Sequence, residues 1–255
     1  MKRLQRIRFA IQAISFALFS WAILHFWGAG GAHQVCPFAA IQAPLLALRH
    51  GIPLNFFVVG MVIGIFFFLL SFILPRTFCG WVCPIGFVSR ILRWIGRKIG
   101  FNLHIRVKRN DRFAQLAVVI LLLIVIATFI SGKLVCIGGC PLFWGYAIWA
   151  MPIGPITAML LAFFAIGSLG IERFFCRWFC PYGALLGIAG RFSFLAIRKK
   201  RLDCKTCRLC FDCPMGTLPK GAVVDGPMCI SCMRCVDVCK DKRLYLGKRA
   251  TKNKH

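Results

Sequence analysis

Two stretches of the chain are nearly the same: CGWVCPIG at residues 79–86 and CRWFCPYG at residues 176–183. Both read C-x-W-x-C-P-x-G, each follows a long apolar run, and the second begins 97 residues after the first. A motif that recurs at a fixed offset in the same context indicates an internal duplication. We therefore predict two similar repeats, residues 1–100 and 101–200, followed by a small separate tail at 201–255.

The apolar runs around these motifs predict a membrane protein. Of the 255 residues, 59% are hydrophobic and only 16% are charged, whereas about 25% of residues are charged in soluble domains. A bilayer is crossed by about 20 consecutive apolar residues. Four runs of about this length lack Lys, Arg, Asp and Glu: Phe9–Trp27, Ile52–Leu74, Phe113–Ile130 and Ile153–Ile171. The predicted fold is an all-α integral membrane protein with four transmembrane helices, and a cleaved signal peptide is the alternative for the first run.

The positions of the basic residues predict the orientation of these helices. The formal net charge is +26, from 33 Lys and Arg against 7 Asp and Glu. If the runs cross the membrane in turn, 31 basic residues lie on one side and two, Arg49 and Lys133, on the other. Cytoplasmic loops carry the excess of Lys and Arg, so both termini are predicted on the cytoplasmic side of a bacterial inner membrane. The basic excess is then an orientation signal, and no nucleic-acid partner is expected.

Two repeats of the same orientation are related by an axis along the membrane normal. The motif cysteines then surround this axis at the inner face: Cys79, Cys83, Cys176 and Cys180. Cysteines four residues apart share a helix face, so these thiols could hold a further metal centre or form a redox-active dithiol. The alternative is a set of small buried side chains beside a helix-ending proline. The motif tryptophans, Trp81 and Trp178, are predicted to anchor the membrane interface.

Other cysteines and histidines fall on the predicted outer side. The outer cysteines are Cys36, Cys136 and Cys140. A disulfide between two of them is expected in an oxidising compartment, and metal binding is the alternative. The outer histidines are His25, His33 and His50. They are either polar residues near the headgroups or ligands of a quinone headgroup or a copper ion.

The predicted inner side contains an amphipathic segment and an acidic residue beside an apolar run. Residues 87–99 place apolar and basic residues on opposite faces of a helix, a pattern typical of a helix lying on an anionic membrane surface. Glu172 is the one acidic residue at the end of an apolar run. It is predicted to pair with Arg173 or Arg177, and acceptance of a quinol proton is the alternative.

The tail predicts two iron–sulfur clusters from CKTCRLCFDCP, residues 204–214, and CISCMRCVDVC, residues 229–239. In bacterial two-cluster ferredoxins, three cysteines at x2 spacing bind one cluster and the fourth ligand comes from the other motif. One 4Fe–4S cluster is then predicted to take Cys204, Cys207, Cys210 and Cys239, and the other to take Cys229, Cys232, Cys235 and Cys213. Zinc and disulfides are the alternatives. The bacterial pattern has x3 before its fourth cysteine and a proline after it, so Cys213 and Lys240 depart from it.

With four apolar runs, paired C-x3-C-P motifs and a two-cluster tail, the chain resembles the NapH-type membrane polyferredoxins, which are related to the membrane parts of NosR-like and CcoG-like proteins. The resemblance covers nearly the whole chain, up to Cys239. It implies a quinol-dehydrogenase or electron-relay subunit, which in NapH-like members passes quinol electrons toward a periplasmic reductase through partner subunits. It also implies that the eight tail cysteines are the cluster ligands.

The sequence therefore predicts a membrane-bound iron–sulfur protein that oxidises quinol and relays electrons to a respiratory or reductase partner. The expected cofactors are two 4Fe–4S clusters, with quinone as the substrate. The expected partners are membrane lipid, the quinone pool and a redox protein. Two alternatives stay open. Electrons could instead run from a cytosolic donor to a periplasmic acceptor such as Cu(II), a disulfide or a flavoprotein, or the chain could be a non-enzymatic redox-sensing or assembly component.

Overall fold

The part of the chain that the structure describes is mainly helical. The computed structural model describes residues 3–25, 36–51, 58–101, 107–132, 155–199, 213–215, 228–239 and 244–248. The helices are α1 (Arg3–His25), α2 (Ala39–His50), α3 (Val58–Ile73), α4 (Thr77–Trp81), α5 (Pro84–Lys98), α6 (Val107–Ser131), α7 (Pro155–Gly170), α8 (Phe174–Trp178), α9 (Pro181–Ala189) and α10 (Arg234–Val238). A 3-10 turn, Gly190–Phe192, follows α9, and the strands are β1 (Leu195–Lys199) and β2 (Leu244–Lys248).

The two motif regions have the same helical structure. Helices α7, α8 and α9 each begin 97 residues after α3, α4 and α5. In both regions a long helix ends, one residue in the left-handed conformation turns the chain, and a short helix carries the first motif cysteine. These turning residues are Arg76, with φ 48°, and Arg173, with φ 60°. The structure thus gives the repeated sequence a repeated fold, including its strained backbone position.

Each motif divides its two cysteines between two helices, which corrects the prediction that they share one helix face. Cys79 lies within α4, whereas Cys83 precedes α5 and has φ −58° and ψ 119°. The physical reason is Pro84, because a proline disfavours the helical conformation in the residue before it and has no N–H to donate. Cys180 has the same place before Pro181 and α9.

The two repeats pack reciprocally through the helices that begin at their motif prolines. Helix α5 of the first repeat packs against α7 of the second, and α9 of the second packs against α3 of the first. At the latter contact the hydroxyl of Tyr182 donates to the carbonyl of Gly64 at 3.1 Å. Helix α1 packs on α5 in the same way as α6 packs on α9. This reciprocal packing brings the beginnings of α5 and α9, and with them both C-P pairs, to one place in the core.

A two-stranded sheet connects the tail with the end of the second repeat. Strands β1 and β2 are antiparallel, with Ile197 opposite Leu246, and the buried Ile197 packs near Cys229. The sequence predicted neither strand, and it placed the tail boundary at residue 201. Because β1 precedes that boundary, the tail fold begins within the stretch that was predicted to belong to the second repeat.

The long helices carry many exposed apolar side chains. Helices α1, α3, α6 and α7 cover most of the four predicted apolar runs, and each has a large apolar residue that is more than half exposed: Leu18, Phe66, Leu123 and Met159. Among the residues that the structure describes, no helix has both the length and the apolar character needed to cross a bilayer.

Candidate functional site

The second cysteine of each motif is the N-cap of a helix that begins at the motif proline. Cys83 precedes α5 and Cys180 precedes α9. The backbone N–H of Gly183 donates to the sulfur of Cys180 at 3.3 Å. The sulfur of Cys83 accepts no such cap hydrogen bond, but the nearby backbone N–H of Gly86 helps to lower the pKa of this thiol. Unpaired N–H groups at a helix N-terminus favour negative charge, and such a position stabilises a thiolate. The C-P-x-G sequence therefore builds a site for negatively charged sulfur in each repeat.

The four motif thiols lie close together in the core. Cys79, Cys83 and Cys176 are no more than 8% exposed. A hydrogen bond from the thiol of Cys176 lowers the pKa of Cys83 to about 7 and raises the pKa of Cys176 well above its ordinary value. Burial, with the charge of Cys83, raises the pKa of Cys79 to about 12. Burial also raises the pKa of Cys180, and the nearby Cys79 and Cys83 add to this effect.

Two buried arginines lie beside these thiols at equivalent positions of the repeats. Arg76 is 5% exposed and Arg173 is fully buried. The guanidinium of Arg173 donates to the carbonyl of Cys79, and a Cβ at Gly86 would lie 2.9 Å from its Nη1 atom, so glycine leaves room for it. Burial lowers the pKa of Arg76, while the charges of Cys79 and other nearby thiols raise it.

These guanidinium groups are incompletely satisfied. Within the described residues, Nε of both Arg76 and Arg173, and Nη2 of Arg173, are buried without a hydrogen-bond partner. A buried charge is tolerated when an opposite charge and hydrogen bonds compensate its desolvation. The part of the core that holds the thiols and these two guanidinium groups therefore suits a negatively charged group. In the described part of the chain, no three His, Cys, Asp or Glu side chains converge to hold a single metal ion. A 4Fe–4S cluster has a different requirement, because each of its four cysteines binds a different iron.

The tail docks on the first repeat at Gly80. A Cβ at this position would lie 2.1 Å from the carbonyl oxygen of Ile230, so only glycine permits the approach. The carbonyl of Gly80 accepts hydrogen bonds from Arg8 Nε at 2.8 Å and Gln12 Nε2 at 2.9 Å, which hold it against α1. Arg177 occupies the equivalent position of the second repeat. At this position of the second motif the arginine side chain therefore excludes an equally close backbone contact.

Three hydrogen bonds surround this contact. Trp81 Nε1 donates to the carbonyl of Ser231 at 3.0 Å, and Ser231 Oγ donates to the carbonyl of Pro75 at 2.8 Å. Gln5 Nε2 donates to the carbonyl of Cys232 at 3.1 Å. These bonds hold the loop between Cys229 and Cys232 against the motif of the first repeat.

The described cysteines of the tail include the complete ligand set predicted for one cluster. The thiols of this set are close enough for the charge of one to raise the pKa of another: Cys213, Cys229, Cys232 and Cys235. Burial raises the pKa of Cys229 to about 12, although the backbone N–H of Ser231 donates to its sulfur and opposes the rise. Left-handed residues at Ser231, φ 47°, and Met233, φ 55°, curve the loop around these thiols. The donor set, four thiols with a backbone donor, fits a 4Fe–4S cluster.

The ligand set predicted for the other cluster is only partly described. Cys239 follows α10, is half-buried and packs with Cys235 near β2. Cys204, Cys207 and Cys210 lie outside the described residues, so their ligation stays a prediction.

Glu172 pairs with the tail, which corrects the predicted pairing with Arg173 or Arg177. Its Oε2 lies 3.2 Å from Nη1 of Arg234. The neighbouring arginines are directed elsewhere, because Arg173 donates to the carbonyl of Cys79 and Arg177 lies over the ring of Trp178 at 5.4 Å. The tryptophans also differ from the prediction of interfacial anchors, since Trp178 is buried and Trp81 binds the tail.

The Glu172–Arg234 pair predicts a small, salt-dependent contribution to docking of the tail. The side chains are 12% and 22% exposed, and pairs near the surface contribute about 0.2–1 kcal/mol. Glu172→Gln should lower the free energy of unfolding by about that amount, measured by chemical unfolding. High salt screens the charges and should reduce the difference between variant and parent. An equal loss at low and high salt would show that the carboxylate acts by another route.

The structure changes the prediction for the basic residues of α5, whereas the predictions for the outer cysteines and histidines stay predictions. On α5, Arg90 donates to Gln12 Oε1 at 3.2 Å and Arg93 to the carbonyl of Leu169 at 2.9 Å, so part of the predicted lipid-facing basic surface binds other helices. Cys36 packs against the core near Phe38. Cys136, Cys140 and His33 lie outside the described residues, while His25 stacks on Trp21 and His50 ends α2. The disulfide and ligand roles stay predictions.

Comparison with known proteins identifies the relatives of both motif regions. The family described as "4Fe-4S binding domain" matches residues 56–102 and 148–202, each of which contains one C-x-W-x-C-P-x-G motif. The chain is 31% identical over 216 residues to "Ferredoxin-type protein NapH" of Haemophilus influenzae, covering 79% of this chain and 71% of that protein.

More distant relatives share a smaller part of their length with this chain. It is 29% identical to "Ferredoxin-type protein NapH" of Escherichia coli, covering 65% of this chain and 60% of that protein. It is 27% identical to "Methylamine utilization ferredoxin-type protein MauN" of Methylorubrum extorquens, covering 69% of this chain and 58% of that protein. No solved structure matches the chain.

Proposed function

Because the chain belongs to the NapH-type family of ferredoxin-type iron–sulfur proteins, we propose that it oxidises quinol in a bacterial inner membrane and relays the electrons to a redox partner. The family makes it an iron–sulfur electron-transfer protein. The quinol, the membrane and the partner are the proposed parts. Bound clusters supply one-electron chemistry, and the chain sets their position, charge and solvent access.

The observation that carries the proposal is the contact between Gly80 and Ile230. Gly80 follows Cys79 of the inner thiols, and Ile230 follows Cys229 of the tail. Their backbones approach so closely that a methyl group at position 80 would overlap the carbonyl oxygen of Ile230. The structure therefore joins two groups of thiols through adjacent backbone atoms, without an intervening solvent layer. Such a contact suits the transfer of electrons between the scaffold and the tail.

The surface of the helical scaffold supports the proposed membrane location. Most of the exposed large apolar side chains among the described residues lie on the long helices, and exposed apolar patches of this kind mark a lipid or protein contact. The basic residues are concentrated in the segments that follow the motifs, which is the asymmetry expected at a cytoplasmic face. A quinol dissolved in the lipid would then reach the scaffold from the side, and a soluble partner would reach the tail.

The direct test is reduction of the purified protein by quinol. Anaerobically purified, oxidised protein in lipid nanodiscs should lose its cluster absorbance when menaquinol or ubiquinol is added. The double variant Cys229→Ser/Cys232→Ser should lose the part of this bleaching that the adjacent tail cluster contributes. Bleaching by a reduced cytosolic ferredoxin, with none by either quinol, would overturn the proposed direction and favour outward transfer. Clusters that neither donor reduces would favour the sensing or assembly role.

A further inference from the structure

We propose that Cys79, Cys83, Cys176 and Cys180 bind a third iron–sulfur cluster, whose negative charge is balanced by the buried guanidinium groups of Arg76 and Arg173. The inference deepens the proposed function and rests on it for the electron-transfer role of the cluster. The binding of the cluster itself is argued from the core between the repeats. It decides between the two uses that the sequence left open for these thiols, a metal centre and a redox-active dithiol.

The positive charge beside the inner thiols favours a metal–thiolate group over a dithiol. Arg76 and Arg173 are both buried, and both keep unpartnered N–H atoms within the described residues. A disulfide is neutral, and a dithiol that loses one proton carries a single negative charge, so either leaves at least one of the two buried cations uncompensated, which is costly. A 4Fe–4S core with four thiolate ligands carries a net charge of about −2. Two guanidinium groups would balance this charge, and their unpartnered N–H atoms could donate to the sulfurs.

The backbone around the thiols is arranged for negatively charged sulfur. Cys83 and Cys180 each occupy the N-cap position of a helix, and the N–H of Gly183 donates to the sulfur of Cys180. Hydrogen bonds to cluster sulfurs are one of the means by which proteins set reduction potentials. Each repeat places one cysteine at a helix N-cap and one in the short helix before it, so the cluster of thiols has two similar halves. A cubane with four thiolate ligands matches a site to which each repeat contributes two.

The family match favours iron and sulfide over zinc. Its two segments end at residues 102 and 202, so they contain the inner motifs and exclude both C-x2-C-x2-C motifs of the tail. The family described as binding 4Fe–4S clusters therefore matches the segments that contain the four inner thiols, Cys79, Cys83, Cys176 and Cys180.

The proposed cluster would lie next to the tail cluster. Arg76 is within range of the charge of Cys229 as well as of the inner thiols. The guanidinium of Arg76 would thus lie near both clusters, beside the contact between Gly80 and Ile230. Electrons could then pass between the scaffold and the tail within a single chain.

The test counts iron and acid-labile sulfide in the full chain, purified without oxygen. The wild-type protein should contain about twelve of each, from three cubanes, and Cys83→Ser/Cys176→Ser should contain about four fewer of each. The control is Ser71→Ala, which removes a buried hydroxyl that donates to the carbonyl of Phe67 in its own helix and should keep the wild-type content. A wild-type content of about eight, or zinc in place of the extra iron, overturns the inference.

A second measurement avoids dependence on a cysteine variant that could fail to fold. Arg173→Gln and Arg76→Gln each remove one positive charge, so each should lower the midpoint potential of the inner cluster, because the reduced and more negative state loses its compensation. Spectroelectrochemical titration should show the shift in one EPR signal for Arg173→Gln. For Arg76→Gln it should also show a shift in the signal of the adjacent tail cluster, because Arg76 is within range of the charge of Cys229. Equal shifts in all signals, or no shift, contradict the inference. Quinol bleaching of the tail clusters in a protein that holds eight irons would leave the proposed function standing while the third cluster fails.

Discussion

Gly80→Ala is expected to detach the tail from the helical scaffold. The added Cβ would lie 2.1 Å from the carbonyl oxygen of Ile230. Neither backbone can yield easily, because Gly80 is bonded to Arg8 and Gln12, and the tail loop is held through Ser231 to Pro75 and Trp81. Overpacking of this kind costs about 1–3 kcal/mol, which exceeds the gain of up to about 1 kcal/mol from replacing glycine with alanine in a helix. Limited proteolysis should then cleave the tail faster than in the parent.

The matched control is Gly183→Ala in the second repeat. Its Cβ would lie 3.4 Å from Cys180 Cβ, which is an ordinary contact, so the tail should keep its parental resistance to protease. Gly80→Arg, which copies the residue at position 177, should have a larger effect than alanine. If Gly80→Ala leaves proteolysis of the tail unchanged, the close contact with Ile230 does not hold the tail in place.

Local spacing in the sequence was sufficient to predict the parts of the site that depend on a single segment. The repeated motif predicted two equivalent regions, and the helix bounds repeat at the same offset of 97 residues. The x2 spacing of the tail cysteines predicted that Cys213 would join the three cysteines of the other motif, and the structure places these four thiols near one another. Family membership in the NapH type, inferred from the same motifs, is confirmed by the 31% identical relative.

Features that depend on contacts between distant segments could not be predicted in this way. The difference between Gly80 and Arg177 was visible in the two motifs, but its meaning requires the position of Ile230, which is 150 residues away from Gly80. The pair Arg76 and Arg173 also precedes both motifs at equivalent positions. Both arginines were counted as part of the cytoplasmic basic excess, whereas the left-handed turn directs them into the core. A repeat-by-repeat alignment would have singled them out.

The errors at the end of the second repeat have a common cause. Glu172 was expected to pair with arginines one and five residues away, yet it binds Arg234 of the tail. Residues 195–199 were expected to continue the repeat, yet they form a strand with 244–248. In both cases a long-range partner in the tail replaces the local one, because docking of the tail buries groups that sequence neighbours would otherwise leave exposed.

Arg173→Met is expected to change the free energy of unfolding in opposite directions in the protein that holds its iron–sulfur clusters (the loaded protein) and in the iron-free protein. In the loaded protein the substitution removes the counter-charge of a buried anion, and breaking such a pair from one side costs about 3–5 kcal/mol. In the iron-free protein it replaces a fully buried guanidinium with an apolar side chain of similar length. Such a replacement is neutral or stabilising by about 1–4 kcal/mol. Loss of the hydrogen bond to the carbonyl of Cys79 reduces this gain by about 1 kcal/mol.

Chemical unfolding of both forms, with iron removed by growth under iron limitation, measures these two differences. The control is Arg93→Met, which loses hydrogen bonds to the carbonyls of Leu169 and Phe101 and should destabilise both forms equally. Arg173→Lys keeps the charge but not the planar donor geometry, so it should recover part of the stability of the loaded form. A loss of equal size in both forms of Arg173→Met would mean that the guanidinium supports the helices alone, and that no anionic group binds between the repeats.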